Sequence, residues 1–230
     1  MNVKIVARPA NSAAKILLEP GETCTAEGGS MIAMSGDMKV ETRVSKKEGG
    51  AMGMLKGFAR TLAGEGIFMN HFTAPSGGGE LYLSTKLPGD MQEIHLDGTS
   101  GWNVQKGSFV AHSSSVEMNI SWGGFKNAFS GENMIWLKMS GAGILVINAF
   151  GALYPVDVDG EYIVDTGNIA AFEDTLDFSL SKAGKSWVSS FLGGEGLVCR
   201  FKGKGRVWCQ THADKNLGVK LTPHLVEKKQ

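Results

Sequence analysis

The sequence predicts an all-β protein built as one body of three tandem repeats around a pseudo-threefold axis. Two observations carry this. Glycine supplies 32 of 230 residues, about twice its average usage, with only six prolines and no collagen-like triplet. The glycines therefore punctuate many short elements joined by tight turns. The second observation is a set of sequence marks that occurs three times in the same order, the signature of a repeat architecture.

Each copy opens with a turn and reaches a Gly-plus-small-polar step into an apolar strand. In the first copy Glu19-Pro20-Gly21 leads to Gly29-Ser30-Met31-Ile32-Ala33. In the second, Asp97-Gly98 leads to Gly107-Ser108-Phe109-Val110-Ala111, and in the third, Asp159-Gly160 leads to Gly167-Asn168-Ile169-Ala170-Ala171. Asp-Gly and Pro-Gly steps supply the positive φ that tight turns require. Further on, Gly64-Glu65, Gly131-Glu132 and Gly194-Glu195 each enter an apolar strand. In the last two copies these strands are expected to turn back as hairpins at Gly141-Ala142-Gly143 and Gly203-Lys204-Gly205. The first copy has the longer loop 73–79. The repeats are bounded at 1–93, 94–155 and 156–218, with a polar tail at 219–230. Gly29, Gly107, Gly167, Glu65, Glu132 and Glu195 are read as fold determinants.

Between the marks, apolar residues at helical spacing predict short crossovers: Leu55, Phe58, Ala59 and Leu62; Phe125 and Phe129; Trp187, Val188, Phe191 and Leu192. The first is the candidate interaction surface. Met52, Met54, Leu55, Phe58 and Leu62 lie beside Lys46, Lys47, Lys56 and Arg60, a composition suited to an amphipathic surface helix or an adaptable groove. Glycines at 49, 50, 53 and 57 weaken such a helix.

The marks Glu27-Gly28-Gly29-Ser30-Met31-Ile32-Ala33-Met34-Ser35-Gly36-Asp37, the stretch Leu55 to Phe68 through Ala63-Gly64-Glu65-Gly66, and Pro155-Val156-Asp157 resemble a bacterial family related to the altered-inheritance-of-mitochondria proteins of fungi. That family resembles in turn the ring-forming tryptophan RNA-binding attenuation protein (TRAP). The resemblance implies three TRAP-like units, each a short double-stranded β-helix or β-sandwich, and further self-association. The fungal relatives' link to mitochondrial inner-membrane organisation implies a scaffold near membranes. RNA binding does not carry over, because no Lys/Arg cluster recurs in all three copies.

Composition narrows the function classes. Basic and acidic residues balance at 23 each, so nucleic acid is not an expected partner. The start, Met1 to Val6, lacks a signal peptide's basic flank and apolar run. The most apolar stretch, Ala142 to Leu153, is far shorter than the ~20 residues that span a bilayer. With three cysteines and no CxxC, a reducing cytoplasm is the expected compartment.

No constellation carries chemistry. Gly184-Lys185-Ser186 lacks the earlier glycine of a phosphate loop, where Ser179 stands, and the GxG steps lack their third glycine. His71, His95, His112, His212 and His224 show no metal-ligand spacing. Ser113-Ser114-Ser115 beside His112 lacks a nucleophile elbow. Asp157 with Asp159, and Glu173 with Asp174, are acid pairs without a pocket. Hairpin pairing through Gly203-Lys204-Gly205 would set Cys199 opposite Cys209 within disulfide reach, although buried thiols are the simpler expectation in the cytoplasm. Residues 157–181 carry seven acidic and no basic side chains, while 182–230 carry ten basic and three acidic. These runs either neutralise each other or offer complementary edges to a second copy or an anionic surface.

The expected function is thus a non-enzymatic structural or interaction protein, a homo-oligomer without cofactor or metal. Its further partner would be a protein or a membrane surface. The alternatives are a small-molecule-binding module with sites between repeats or subunits, and an enzyme whose site is gathered from several repeats.

Overall fold

The structure is a computed structural model, described over residues 1–44, 68–121, 135–182 and 197–225. The three expected crossovers, with Glu65, Glu132 and Glu195, lie outside the described residues. Among the described residues sixteen strands follow in order: β1 (Asn2–Val6), β2 (Ala13–Leu18), β3 (Thr23–Glu27), β4 (Met31–Met34), β5 (Lys39–Val44), β6 (Phe68–Thr73), β7 (Gly79–Ser84), β8 (Met91–Asp97), β9 (Trp102–Gln105), β10 (Phe109–Ser113), β11 (Val116–Ser121), β12 (Trp136–Asn148), β13 (Leu153–Asp165), β14 (Ile169–Glu173), β15 (Asp177–Lys182) and β16 (Leu197–Gln210). A short helix, α1 (Asp214–Leu221), follows them. The expected all-β class holds.

The paired strands are antiparallel and form two sheets. One runs β1-β2-β7-β4; the other runs β13-β16-β14-β9-β12-β10-β3-β6-β5, with β8, β11 and β15 attached at its sides. Alternation sets the faces. In β2, Ala14, Ile16 and Leu18 are buried while Ala13, Lys15 and Leu17 are not, as period-2 side-chain direction requires.

The Gly-plus-small-polar marks each start a strand with the same irregularity. β4 pairs with β7 through Met31↔Leu83 and Ala33↔Tyr82, skipping Ile32. β10 pairs with β12 through Phe109↔Ile147 and Ala111↔Val146, skipping Val110. β14 pairs with β16 through Ile169↔Cys209 and Ala171↔Trp208, skipping Ala170. A bulge of this kind bends the strand and re-aims a side chain.

The expected hairpins at 141–143 and 203–205 are not formed. β12 and β16 run straight through these glycines, each changing partners on the way: β12 leaves β9 and β11 for β8 and β10, and β16 leaves β15 for β14. Gly141 and Gly203 have φ of +100° and +114°. A positive φ kinks a strand as readily as it closes a turn, so the same residue turns a corner here without reversing the chain. Cys199 and Cys209 consequently lie toward opposite ends of one strand, not across a hairpin.

Burial forms three apolar clusters that share strands. Val110, Ala111 and Val146 pack with Ile16, Phe72 and Leu81, although they belong to the second of the expected repeats. Likewise Ala170 and Ala171 of the third expected repeat pack with Trp102, Leu137 and Ile147. The third cluster gathers Val164, Phe172, Cys199 and Phe201.

Candidate interaction site

Two junctions along the large sheet share one construction. At the first, β3 pairs with β10 through Ala26↔Ala111, Thr25↔His112 and Cys24↔Ser113. At the second, β9 pairs with β14 through Val104↔Ala171, Asn103↔Phe172 and Trp102↔Glu173. In both, the paired residue of the earlier strand stands three positions before its glycine mark (Gly29 or Gly107), and its partner stands four after the next mark (Gly107 or Gly167). Phe109 and Val110 are 1% and 2% exposed there, and Trp102 6%. Full burial of such side chains contributes roughly 1.5–3 kcal/mol each.

Among the described residues, the strands of matching position at the two ends have no such neighbour. β4 terminates the small sheet and β13 terminates the large one. On β4, Met31 and Ile32 are 42% and 55% exposed; on β13, Tyr162 and Ile163 are 46% and 47% exposed. Met31 and Ile32 stand where Phe109 and Val110 stand beside β3. Tyr162 stands where Trp102 does. An apolar edge of this kind, with no charge or proline on Met31–Met34 and no covering strand among the described residues, is a template for pairing with another strand.

A backbone seam ties the strand starts together. The Ser12 amide donates to the Gly89 carbonyl at 2.9 Å, and the Asp90 amide donates to Gly151 at 2.8 Å. Gly89 sits so close to Ala149 that a Cβ would lie 1.8 Å from its carbonyl oxygen, which admits only glycine. The amide of Ala152, which precedes β13 as Ser12 precedes β2, instead donates to Thr211 Oγ1 at 3.0 Å. The seam is locked by buried Asp90. Its Oδ1 accepts from Arg8 Nε (2.9 Å), Ser12 Oγ (2.9 Å) and the Met91 amide (2.8 Å), and its Oδ2 accepts from Arg8 Nη2 (2.8 Å). Burial alone would raise this carboxyl, but these hydrogen bonds and the Arg8 charge hold it below the usual range.

A polar cleft of about 290 Å³ lies beside β8, lined by Glu93, His95, Asp97, Glu173, Arg206 and the indoles of Trp102 and Trp208. His95 Nε2 contacts Glu93 Oε1 at 2.8 Å, and Arg206 Nε donates to Asp157 Oδ1 at 2.6 Å.

The other residues singled out in the sequence have structural work. Glu173 accepts the Arg206 amide at 3.1 Å, and Asp174 accepts the Gly101 amide at 2.8 Å. The acidic and basic runs meet across the β13–β16 pairing, where Glu161 engages Arg200 and Lys202, the latter at 3.3 Å, and Asp157 engages Arg206. His71 and His112 flank Thr25 in register across β6, β3 and β10. Thr25 Oγ1 lies 2.9 Å from His71 Nδ1, and His112 Nδ1 donates to the Ser113 carbonyl at 2.8 Å. Among the described residues no cluster of His, Cys, Asp and Glu could hold a metal ion. Cys24, Cys199 and Cys209 are free and buried; burial pushes the Cys199 and Cys209 thiols up to about 12 and about 11, so neither is a poised nucleophile. No helix among the described residues is long and apolar enough to cross a membrane. The predicted surface of Met52, Met54, Leu55, Phe58 and Leu62 lies outside the described residues. Sequence reasoning missed the β4 and β13 edges; the signal available was the match of Met31-Ile32-Ala33 to strands that are buried elsewhere in the same chain.

The arrangement is similar to known proteins. A crystal structure of a Streptococcus pyogenes protein superposes with a TM-score of 0.80 at 22% identity, covering 97% of this chain and 99% of that one; a likeness at this identity shows the fold alone. No curated protein matches the chain. The family model described as Mitochondrial biogenesis AIM24 matches residues 3–212. With nearly the whole length matched, the chain belongs to the Mitochondrial biogenesis AIM24 family.

Proposed function

We propose that the chain is a non-enzymatic, self-associating structural protein made of three tandem TRAP-like repeats, acting as a scaffold in the cytoplasm close to a membrane surface. The repeat reading is supported by the three bulges of identical register and by the two junctions of identical construction. The membrane-proximal part draws on the family resemblance. Self-association rests on one observation: the apolar strand positions buried at the interior junctions are open on β4 and β13. Native mass spectrometry and light scattering at micromolar concentration test it. A discrete multimer is the expected result, and a monomer at that concentration would overturn the reading.

The cleft beside β8 favours a second reading, a small-molecule site between the second and third repeats. Glu93, Asp97 and Glu173 outnumber Arg206, whose charge already meets Asp157, so the cleft suits a small cationic ligand. Trp102 and Trp208 would report binding through their fluorescence. An unchanged emission spectrum across a panel of polyamines and amino sugars would remove this reading.

A further inference from the structure

We propose that β4 of one copy adds antiparallel to the β13 edge of a second copy, in the register Ala33↔Val164, Met34↔Ile163 and Ser35↔Tyr162. The inference rests on the self-association reading and names its partner and geometry. The register follows from the chain's own junctions. Ala26, Val104 and Val164 each stand three positions before Gly29, Gly107 and Gly167, and Ala33, Ala111 and Ala171 each stand four positions after them. The two formed junctions pair Ala26 with Ala111 and Val104 with Ala171. The same rule pairs Val164 with Ala33.

Both edges are prepared for that contact. β4 already carries the bulge at Ile32 that β10 carries at Val110, and Val110 uses it to enter the neighbouring apolar cluster. Ile32 would enter its new neighbour's third cluster, beside Val164, in the same way. Among the described residues, no strand pairs with the side of Tyr162–Val164 on β13 that faces away from β16. The Glu161 carboxylate on this edge is already engaged by Arg200 and Lys202.

A second copy, not the chain's own start, is the occupant. The two strands terminate different sheets. Within the chain neither edge covers the other, for Met31 and Ile32 on β4 and Tyr162 and Ile163 on β13 all remain exposed. A contact between unlike patches is heterologous, so it propagates into a ring or a filament.

Cysteine cross-linking tests the register. Met34→Cys and Ile163→Cys, made in separately tagged chains, should yield a mixed disulfide-linked dimer on oxidation. Met34→Cys with Val164→Cys should yield at least tenfold less, because adjacent strand residues point to opposite faces. The native cysteines are buried and give no background. Equal yields from both pairs in a protein that remains multimeric would overturn the register and leave self-association standing. An intramolecular link in the Met34→Cys/Ile163→Cys double variant, formed in a monomer, would overturn the second-copy assignment. Since Ile32 is exposed, Ile32→Asp should fold normally and weaken association at least tenfold; a folded Ile32→Asp protein that assembles like the parent would overturn the proposal independently of the cross-links.

Discussion

The β10 strand against β3 and the β4 strand at the chain's beginning have the same bulge, the same glycine mark and a similar apolar sequence, yet one is sealed and the other is open. Nothing within either strand causes this. The difference is whether another strand stands beside it, so burial at these positions belongs to the junction and not to the segment. Interior and terminal strands should therefore respond very differently to the same substitution.

The largest contrast is expected between Phe109→Ala and Met31→Ala. Phe109 is fully enclosed, and emptying such a site costs about 4 kcal/mol. Met31→Ala, measured by urea unfolding at dilutions that keep single copies, should stay within about 0.5 kcal/mol of the parent. Similar losses for both would mean that β4 is covered, and the comparison would fail.

A middle-sized contrast lies along the seam. Asp90→Ala strips a buried acceptor from Arg8, Ser12 and the Met91 amide and should cost about 2 kcal/mol by thermal unfolding, with Arg8 free to turn to solvent. At the terminal position, Thr211→Val removes an exposed hydroxyl that the Ala152 amide and His212 Nδ1 share and should cost about 0.5 kcal/mol. Reversal of that order would place the weak point at the seam instead of at the end.

The smallest effect separates the two interior junctions by pH. Burial lowers the His112 and His71 imidazoles below their usual value of 6.5, with Ser113 and Glu41 opposing and Arg43 reinforcing the shift at His71. A base with a lowered folded-state value binds fewer protons than the unfolded chain. Its stabilisation is therefore complete above about pH 6.5 and is lost as pH falls below it. At the second junction the residues that flank Asn103 in the same way are Lys138 and Phe172, with no histidine. Amide exchange between pH 7.5 and 5.5 should quicken at Ala26 and Ala111 and not at Val104 and Ala171. Uniform quickening would assign the acid sensitivity elsewhere.

Much of this architecture was legible in the residues. The glycine marks located the starts of β4, β10 and β14, and Asp97-Gly98 and Pro20-Gly21 located turns, because a positive φ has few sequence solutions; the turn expected at Asp159-Gly160 is absent, since β13 runs through it with Gly160 at a φ of +108°. Gly141 and Gly203 misled for the same reason, since a kink and a hairpin ask the same of a glycine and differ only in what the strand meets afterwards. The open edges were hidden by the likeness that identified them: Met31-Ile32-Ala33 reads as a core strand, and only long-range pairing tells which copy of a pattern lacks a neighbour. The seam at Asp90 gave no local signal, because Arg8 and Ser12 reach it from far along the chain.

The kinks at Gly141 and Gly203 also bear on how the molecule comes apart. Where β12 and β16 pass through them, one strand serves two sets of partners, so a local opening on one side pulls on the register of the other and the whole segment is tied into one cooperative block. The first segment lacks this linkage, because β6 and β7 are separate strands joined by the loop 74–78. Its two sheets can fray independently. The region that carries the unpaired β4 edge is thus also the one built to open with the least disturbance to its neighbours.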